Sequence, residues 1–240
     1  MMKISLVTLN VRYDNSNDGP NQWCRRKALV GEFLRQKSPD WIALQEVLPS
    51  QRRDLEAMLT DYRSYGISRD GQGRDEQCCW LVRDPWWFEE ARTVWLSDTP
   101  QQVSVGWDAM LPRVASLVRV GGVWAANVHL DHHGPEARRR GVELAASLLP
   151  ADQPGLLVGD FNQADVWQQA PALAGWQDAQ RWAGQTDRGT FHDFQGGLQG
   201  PRIDAILCSP AWRPTGFELI EDPRLSDHYP LWAQLEATEA

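Results

Sequence analysis

The sequence is short of most features that mark membrane, secreted or zinc-clustered proteins. No apolar run approaches the roughly 18–20 residues that cross a bilayer, so no membrane span is expected. The opening segment, MMKISLVTLN, lacks the apolar core of a signal peptide and reads as a strand; a soluble, cytoplasmic chain is the expectation. Cysteine is scarce. Cys24, Cys78, Cys79 and Cys208 form no CxxC pair and have no histidine at zinc-ligand distance, which excludes a disulfide framework and a Cys/His zinc centre. They read as reduced structural thiols. Lysine is nearly missing: Lys3, Lys27 and Lys37 are the three among 24 basic residues. Arginine suits bidentate phosphate recognition, although codon bias accounts for such a skew more simply. A positive surplus is missing too, since 32 acidic residues outweigh the 24 basic ones and leave a net charge of −8. Neutralisation of phosphates by Lys and Arg supplies most non-specific nucleic-acid affinity, so tight binding to long duplex is disfavoured, while a local basic groove remains compatible. Linkers, repeats and low-complexity segments are also missing, which favours one domain over residues 1–240.

What is present is ordinary globular composition, 42 % hydrophobic and 23 % charged, over 240 residues. Tryptophan stands out with 13 residues. Clustered, they would line a sugar-binding surface; spread along the chain, they fill cores, because one ring buries roughly 150–250 Å². Short apolar runs at 4–10, 41–47, 78–83, 113–120, 123–130, 155–162, 202–208 and 230–236 read as strands. Helical stripes cover 24–37 and 50–60, and Gly134-Pro135-Glu136 opens a helix reaching about Leu149. Gly121-Gly122 between two strands is a hairpin signal. Helices alternate with strands around a hairpin, so mixed sheets are expected rather than purely parallel ones.

The strand ends carry residues that a buried apolar run does not need. The first strand ends in Asn10, and WIALQEV carries Glu46. The run VWAANVHLD carries Asn127, His129 and Asp131, which share a face under two-fold alternation. GLLVGDFN brings Asp160 and Asn162, RIDAIL begins at Asp204, and Asp227-His228 precede the last strand. Carboxylates, amides and two histidines converging from strand ends would make a polar pocket at the edge of an apolar core. Oxygen donors with few thiols suit a hard cation such as Mg²⁺ or Mn²⁺, and an Asp-His pair can orient and move protons near neutral pH.

Six strings, TLNVRYDN (8–15), LQEV (44–47), NVHLDHHG (127–134), VGDFN (158–162), RIDAIL (202–207) and SDHYPL (226–231), occur in this order across nearly the whole chain. The ordered set resembles the endonuclease/exonuclease/phosphatase superfamily of metal-dependent phosphoesterases. WLSDTP…GWDAMLPR (95–113) further resembles a bacterial subgroup of largely unassigned hydrolases. The resemblance implies a four-layered αββα sandwich, two mixed β-sheets face to face with helices outside. It implies Glu46 as principal metal ligand, with Asn10 and Asp227 contributing. His228 is implied as general base or as the group engaging the scissile phosphate, and Asp204 as its orienting partner. Asp160 would orient the attacking water, Asn162 would hold a phosphoryl oxygen, and His129 would contact the phosphate. Glu76 matches, more weakly, an acidic residue that some members place beside the phosphate-binding histidine, with Asp70 and Asp75 as competitors. Arg12 is a departure, because abasic-site endonucleases of the family carry an acidic residue there.

Asn127, Asp131, Arg113 and Trp107, the last in a Gly-flanked loop, are further candidates for substrate contact. His132-His133 follow the NVHLD strand and either stand at the site, His132 being part of the resembling string, or are simply exposed, as a loop histidine more often is. Arg138-Arg139-Arg140 point around a helix rather than to one face and read as solvated. The expected activity is hydrolysis of a small or medium phosphomonoester or phosphodiester, or a nucleotide, by activated water with Mg²⁺ or Mn²⁺. The alternatives are a nuclease acting on DNA or RNA ends, and a non-catalytic Trp-rich domain that binds carbohydrate or protein. Specificity is expected from loops 11–23, 66–76, 97–112 and 184–200.

Overall fold

Alternation decides which face each strand residue takes. Ile4 and Leu6 lie on one face of the first strand and Val7 and Leu9 on the other, and all four are buried. A strand with both faces apolar needs a layer on each side, and the computed structural model, which describes residues 2–238, provides them. Its strands are β1 (Lys3–Asn10), β2 (Trp41–Val47), β3 (Tyr62–Tyr65), β4 (Gln77–Arg83), β5 (Glu90–Trp95), β6 (Val114–Val120), β7 (Val123–His129), β8 (Gly155–Asp160), β9 (Gln177–Asp178), β10 (Asp204–Cys208), β11 (Trp212–Leu219) and β12 (Leu231–Ala237). The longer helices are α1 (Trp23–Lys37), α2 (Pro49–Met58) and α3 (Pro135–Ser147).

Two six-stranded mixed sheets result, ordered β11-β12-β1-β2-β4-β3 and β5-β6-β7-β8-β10-β9. Their facing sides share one core that includes Leu6, Trp41, Trp80, Val118, Ala125, Val158 and Ile206. The outer side of the first sheet packs against α1 and α2 through Trp23, Val30, Leu34 and Leu55. The outer side of the second packs against α3 through Val142, Ala145 and Ala146. This is the four-layered αββα sandwich that the sequence resemblance implied. Trp41, Trp80 and Trp212 are at most 1 % exposed within the inner core, so much of the tryptophan excess fills space between layers.

Each sheet holds one parallel pair, β1 with β2 and β7 with β8, and the remaining pairs are antiparallel. Helices α1 and α3 are the two crossovers that parallel pairing requires. Gly121 and Gly122 turn β6 into β7 with φ of 57° and 77°, the sign that a tight hairpin demands at both positions. Gly159 lets β7 and β8 close, because a Cβ there would stand 2.0 Å from the Val128 carbonyl oxygen.

The interior strands match the apolar runs of the sequence. The four strands without such runs, β3, β5, β9 and β11, are the edges of the two sheets. An edge strand is covered less completely, and residues 90–92 of β5 are exposed accordingly. β11 also carries Pro214 beside a register shift, an arrangement tolerated at an edge.

Asn127 requires a correction. It shares the inner face with His129 but is 0 % exposed. Its amide donates to the carbonyls of Leu44 (3.0 Å) and Cys79 (3.2 Å) and accepts from Gln45 Nε2 (2.7 Å). Its polar atoms therefore link β7 to β2 and β4 across the sandwich and leave nothing for a substrate. Replacing Asn127 by Leu removes the donors to the Leu44 and Cys79 carbonyls, and a buried acceptor left without its partner costs about 1–3 kcal/mol. Urea denaturation should show a loss of at least about 2 kcal/mol; an unchanged midpoint would refute the linking role.

Candidate active site

The inner faces of the central strands end in polar residues at one edge of the sandwich. On β1 the apolar column Ile4, Leu6 passes through buried Thr8 to Asn10. On the second sheet, Val123 and Ala125 lead to His129, and Leu156 and Val158 lead to Asp160. Register sets His129 and Asp204 on either side of Asp160, one rung across β7, β8 and β10. Ligand sites in open α/β sheets form beyond the carboxyl ends of parallel strands, and all four such ends converge here.

Glu46 reaches this edge by a different route. Ile42 and Leu44 face outward, so strict alternation would turn Glu46 outward as well. A bulge between Leu44 and Val47 and a φ of 60° at Glu46 re-aim it. Its Oε1 accepts from Asn10 Nδ2 (2.9 Å) and its Oε2 from the Tyr13 N–H (3.0 Å). Asn10 Nδ2 also donates to Asp160 Oδ2 (3.0 Å), which ties the two sheets at the site. Arg12, Asn162 and Asp193 likewise have positive φ and, with Glu46, line a cavity of about 620 Å³. Strained backbone of this kind clusters at functional sites.

His228 stands at the cavity with Nδ1 2.8 Å from Asp204 Oδ2 and Nε2 3.7 Å from Asp160 Oδ2. Since a carboxylate only accepts, Nδ1 carries the shared proton. Burial opposes charging this ring, but Asp204 and Asp160 outweigh it and raise its pKa well above the ordinary value. Thr190 Oγ1 accepts the N–H groups of Ile203 and Asp204 and fixes the start of β10. Ser226 Oγ donates to the Asn10 carbonyl (2.6 Å) and holds the Ser-Asp-His turn against β1. Phe191 packs edge-on to His228, centroids 5.0 Å apart.

His129 lies 3.6 Å from Asp160 Oδ2, 4.0 Å from Glu46 Oε1 and 4.0 Å from Glu76 Oε2. Burial and then Arg113, whose Nη1 is within 3.4 Å of both ring nitrogens, depress its pKa strongly. The ring is neutral. Glu76 is pushed up to about 7 by burial and by Glu46. Asp160 is raised by burial and by Asp204, and Asp227 by burial and by Glu46.

Asn10, Glu46, His129, Asp160, Asn162, Asp204, Asp227, His228, Glu76 and Arg113 thus come together. Of the acidic competitors, Glu76 faces His129, whereas Asp70 caps its own turn through Ser68 and Gln72. Two other candidates do not reach the cavity. Asp131 is 0 % exposed; it accepts the His133 and Gly134 N–H groups and pairs with Arg113 at 3.4 Å, so it shapes the wall from behind. Trp107 bonds Asp98 and lies against Arg140, outside the cavity lining. Arg138 is bonded to Gln163 and the Asp131 carbonyl, and Arg139 and Arg140 pair with Glu136. Arg69, Tyr13 and Phe191 line the cavity without having been singled out in the sequence. They sit in the loops 11–23, 66–76 and 184–200, where no residue pattern separates them from their neighbours. Arg69 is held by Glu76 and Asp75, each at 3.0 Å.

Residues 7–228 match the Endonuclease/Exonuclease/phosphatase family. The chain belongs to that family, whose members are hydrolases acting on phosphate esters and depend on divalent metal. An endonuclease/exonuclease/phosphatase from Bacteroides vulgatus is 31 % identical, with a TM-score of 0.90 over 99 % of this chain and 100 % of the other. A mannosyl-6-phosphatase of Bacteroides thetaiotaomicron is 25 % identical, with a TM-score of 0.88 over 97 % and 99 %. TDP2 of D. rerio, in complex with a single-strand DNA product, shares the fold at 19 % identity and a TM-score of 0.75 over 99 % and 100 %. No curated protein matches the chain at the level of sequence. Among the described residues, no helix is long and apolar enough to cross a membrane.

The donor chemistry of this site fits the family's metal. Glu46 uses two of its roughly four acceptor positions on Asn10 and Tyr13, and Asp227 lines the same cavity. Crowded carboxylates with raised pKa values are the surroundings that a divalent cation relieves. Asp160, Asp204 and His228 also bring ligand atoms within 4.8 Å of one another, but the Asp204–His228 hydrogen bond occupies Nδ1 and Asp204 Oδ2. Replacing Asp204 by Asn removes the charge beside His228 Nδ1. The His228 ring should then titrate at lower pH in histidine NMR spectra, and an unmoved titration would show that Asp204 does not set its charge.

Proposed function

We propose that the protein is a Mg²⁺- or Mn²⁺-dependent phosphoesterase that hydrolyses a small organic phosphate ester by in-line attack of water. The observation that carries this reading is the rung His129–Asp160–Asp204, bonded to His228 and tied through Asn10 to Glu46 at an open cavity of about 620 Å³. Glu46, Asn10 and Asp227 would hold the ion. When bound, it supplies neutralisation of the phosphate and polarisation of a phosphoryl oxygen. Asp160, backed by Asn10 and by the Asn162 N–H at 2.8 Å, orients the attacking water and accepts its hydrogen bond. His228 is charged and engages a phosphoryl oxygen through Nε2–H, which the raised pKa favours over a role as base. Asn162 uses one amide proton on the Leu130 carbonyl and retains the other for the phosphate. His129, kept neutral, donates without adding charge, and Arg113 adds the fixed positive field behind it.

A small substrate is supported by the wall of the cavity. Asp75, Glu76 and Asp193 line it, and together with the net charge of −8 they oppose a polyanionic duplex. Arg12, ion-paired with Asp18 at 3.0 Å, stands where abasic-site endonucleases have an acid, which argues against that repair activity. The likeness to a mannosyl-6-phosphatase puts sugar phosphates first among substrates to try. Phosphomonoesters, phosphodiesters and oligonucleotides should be assayed with Mg²⁺ and Mn²⁺. His228→Ala and Asp160→Ala should each lower kcat by about 10²–10⁴-fold, and a loss below about tenfold would remove the assigned roles. Exhaustive chelation should abolish turnover, with recovery on adding either ion; turnover that survives chelation would end the metal assignment.

A further inference from the structure

We propose that His132, together with Leu111, forms a leaving-group subsite at the mouth of the cavity that hydrogen-bonds a hydroxyl of a polyol or sugar phosphate. The proposal rests on the phosphoesterase reading above and names the part of the substrate that lies beyond the phosphate. His132 is exposed, yet its ring is held by Arg113 and His133 and its backbone by the Asp131 turn. Arg113 Nη2 donates to His132 Nδ1 at 2.8 Å. A neutral imidazole accepts at one nitrogen and donates at the other, so the proton of His132 resides on Nε2. Arg113 cannot swing away, because the residue is 6 % exposed and its guanidinium pairs with buried Asp131 at 3.4 Å.

The backbone is fixed as firmly. Asp131 Oδ1 accepts the N–H groups of His133 (2.9 Å) and Gly134 (2.8 Å), and the Asp131 carbonyl accepts from Arg138 Nη1 (2.9 Å). The His133 ring packs edge-on to that of His132, centroids 4.4 Å apart. Immobilising an exposed side chain costs rotamer entropy, which a solvated loop histidine has no cause to lose. Here the immobilised ring lines the cavity, and among the described residues its Nε2 has no hydrogen-bond partner.

The chemistry of the ligand follows from the charge. Burial and then Arg113 lower the His132 pKa, so the subsite offers one neutral donor at neutral pH. A second phosphate would call for a charged partner, and the cation beside the ring, Arg113, is already committed to Asp131 and to both histidines. A hydroxyl suits this neutral donor, since it accepts from Nε2–H. Leu111, 38 % exposed and lining the same cavity, offers an apolar surface to the carbon skeleton.

The test compares kcat/KM for the best-hydrolysed of mannose 6-phosphate, glycerol 3-phosphate and myo-inositol 1-phosphate with that for p-nitrophenyl phosphate, whose leaving group has no hydroxyl beyond the bridging oxygen. In His132→Ala the ratio of the two should fall about fivefold or more, the scale of one neutral hydrogen bond. His132→Gln, which keeps a neutral donor, should recover part of it. An unchanged ratio, or a wild-type enzyme that hydrolyses only the aryl ester, overturns the proposal. A wild-type protein that hydrolyses no ester at all overturns the phosphoesterase reading beneath it. Long-range ¹H–¹⁵N spectra, assigned by difference with His132→Ala, should show the Nε2–H tautomer in the full chain; an Nδ1–H ring overturns the proposal independently of any turnover.

Discussion

The Asn10 amide holds together what the rest of the site depends on. Its Nδ2 donates to Glu46 from the first sheet and to Asp160 from the second, at 2.9 and 3.0 Å. Two carboxylates on separate sheets would otherwise repel each other across a low-dielectric gap. One amide between them sets the spacing of the sheets where the chemistry lies, and Asn127 sets it again one layer deeper. The apolar core beneath is close-packed and resists compression. The positions of the reacting groups are therefore inherited from the packing of the whole sandwich.

Charge at the site is divided with the same economy. Of two buried histidines lining one cavity, His228 is raised by Asp204 and Asp160, while His129 is lowered by burial and Arg113. In the proposed reading one ring is a cation that meets the phosphate and the other a neutral donor beside it. The difference comes from which partner touches each ring, a carboxylate or a guanidinium. Arg113 extends the pattern outward to His132, so a single buried arginine governs two histidines at different depths of the cavity.

Legibility in the sequence followed burial. Eight strands lie inside the sheets, most of them covered on both faces, and each reads as an apolar run. The four edge strands have weaker patterns because part of their surface meets solvent or loop, and neither EARTVW nor WRPTGFEL alternates cleanly. Asn10, Asp160 and Asp204 were visible as polar residues terminating apolar columns. Asn127 satisfied the same criterion yet serves only the core, since alternation tells which face a residue takes but not whether that face opens to a cavity. Glu46 is the opposite case: alternation alone would send it outward, and a bulge with positive φ brings it in.

The sequence by itself determined the layered architecture, the order of the polar strand ends and the family, because burial and short motifs are local properties written into neighbouring residues. Tertiary structure alone decided which loop residues form the wall. Arg69, Tyr13, Phe191 and His132 meet the site from separate segments, and no spacing along the chain records that meeting. It also decided protonation, since the charge on His129, His132 or His228 depends on groups distant in sequence, as in the His228–Asp160 pair. Coulombic energies follow distance in space, and only the packed sandwich supplies those distances.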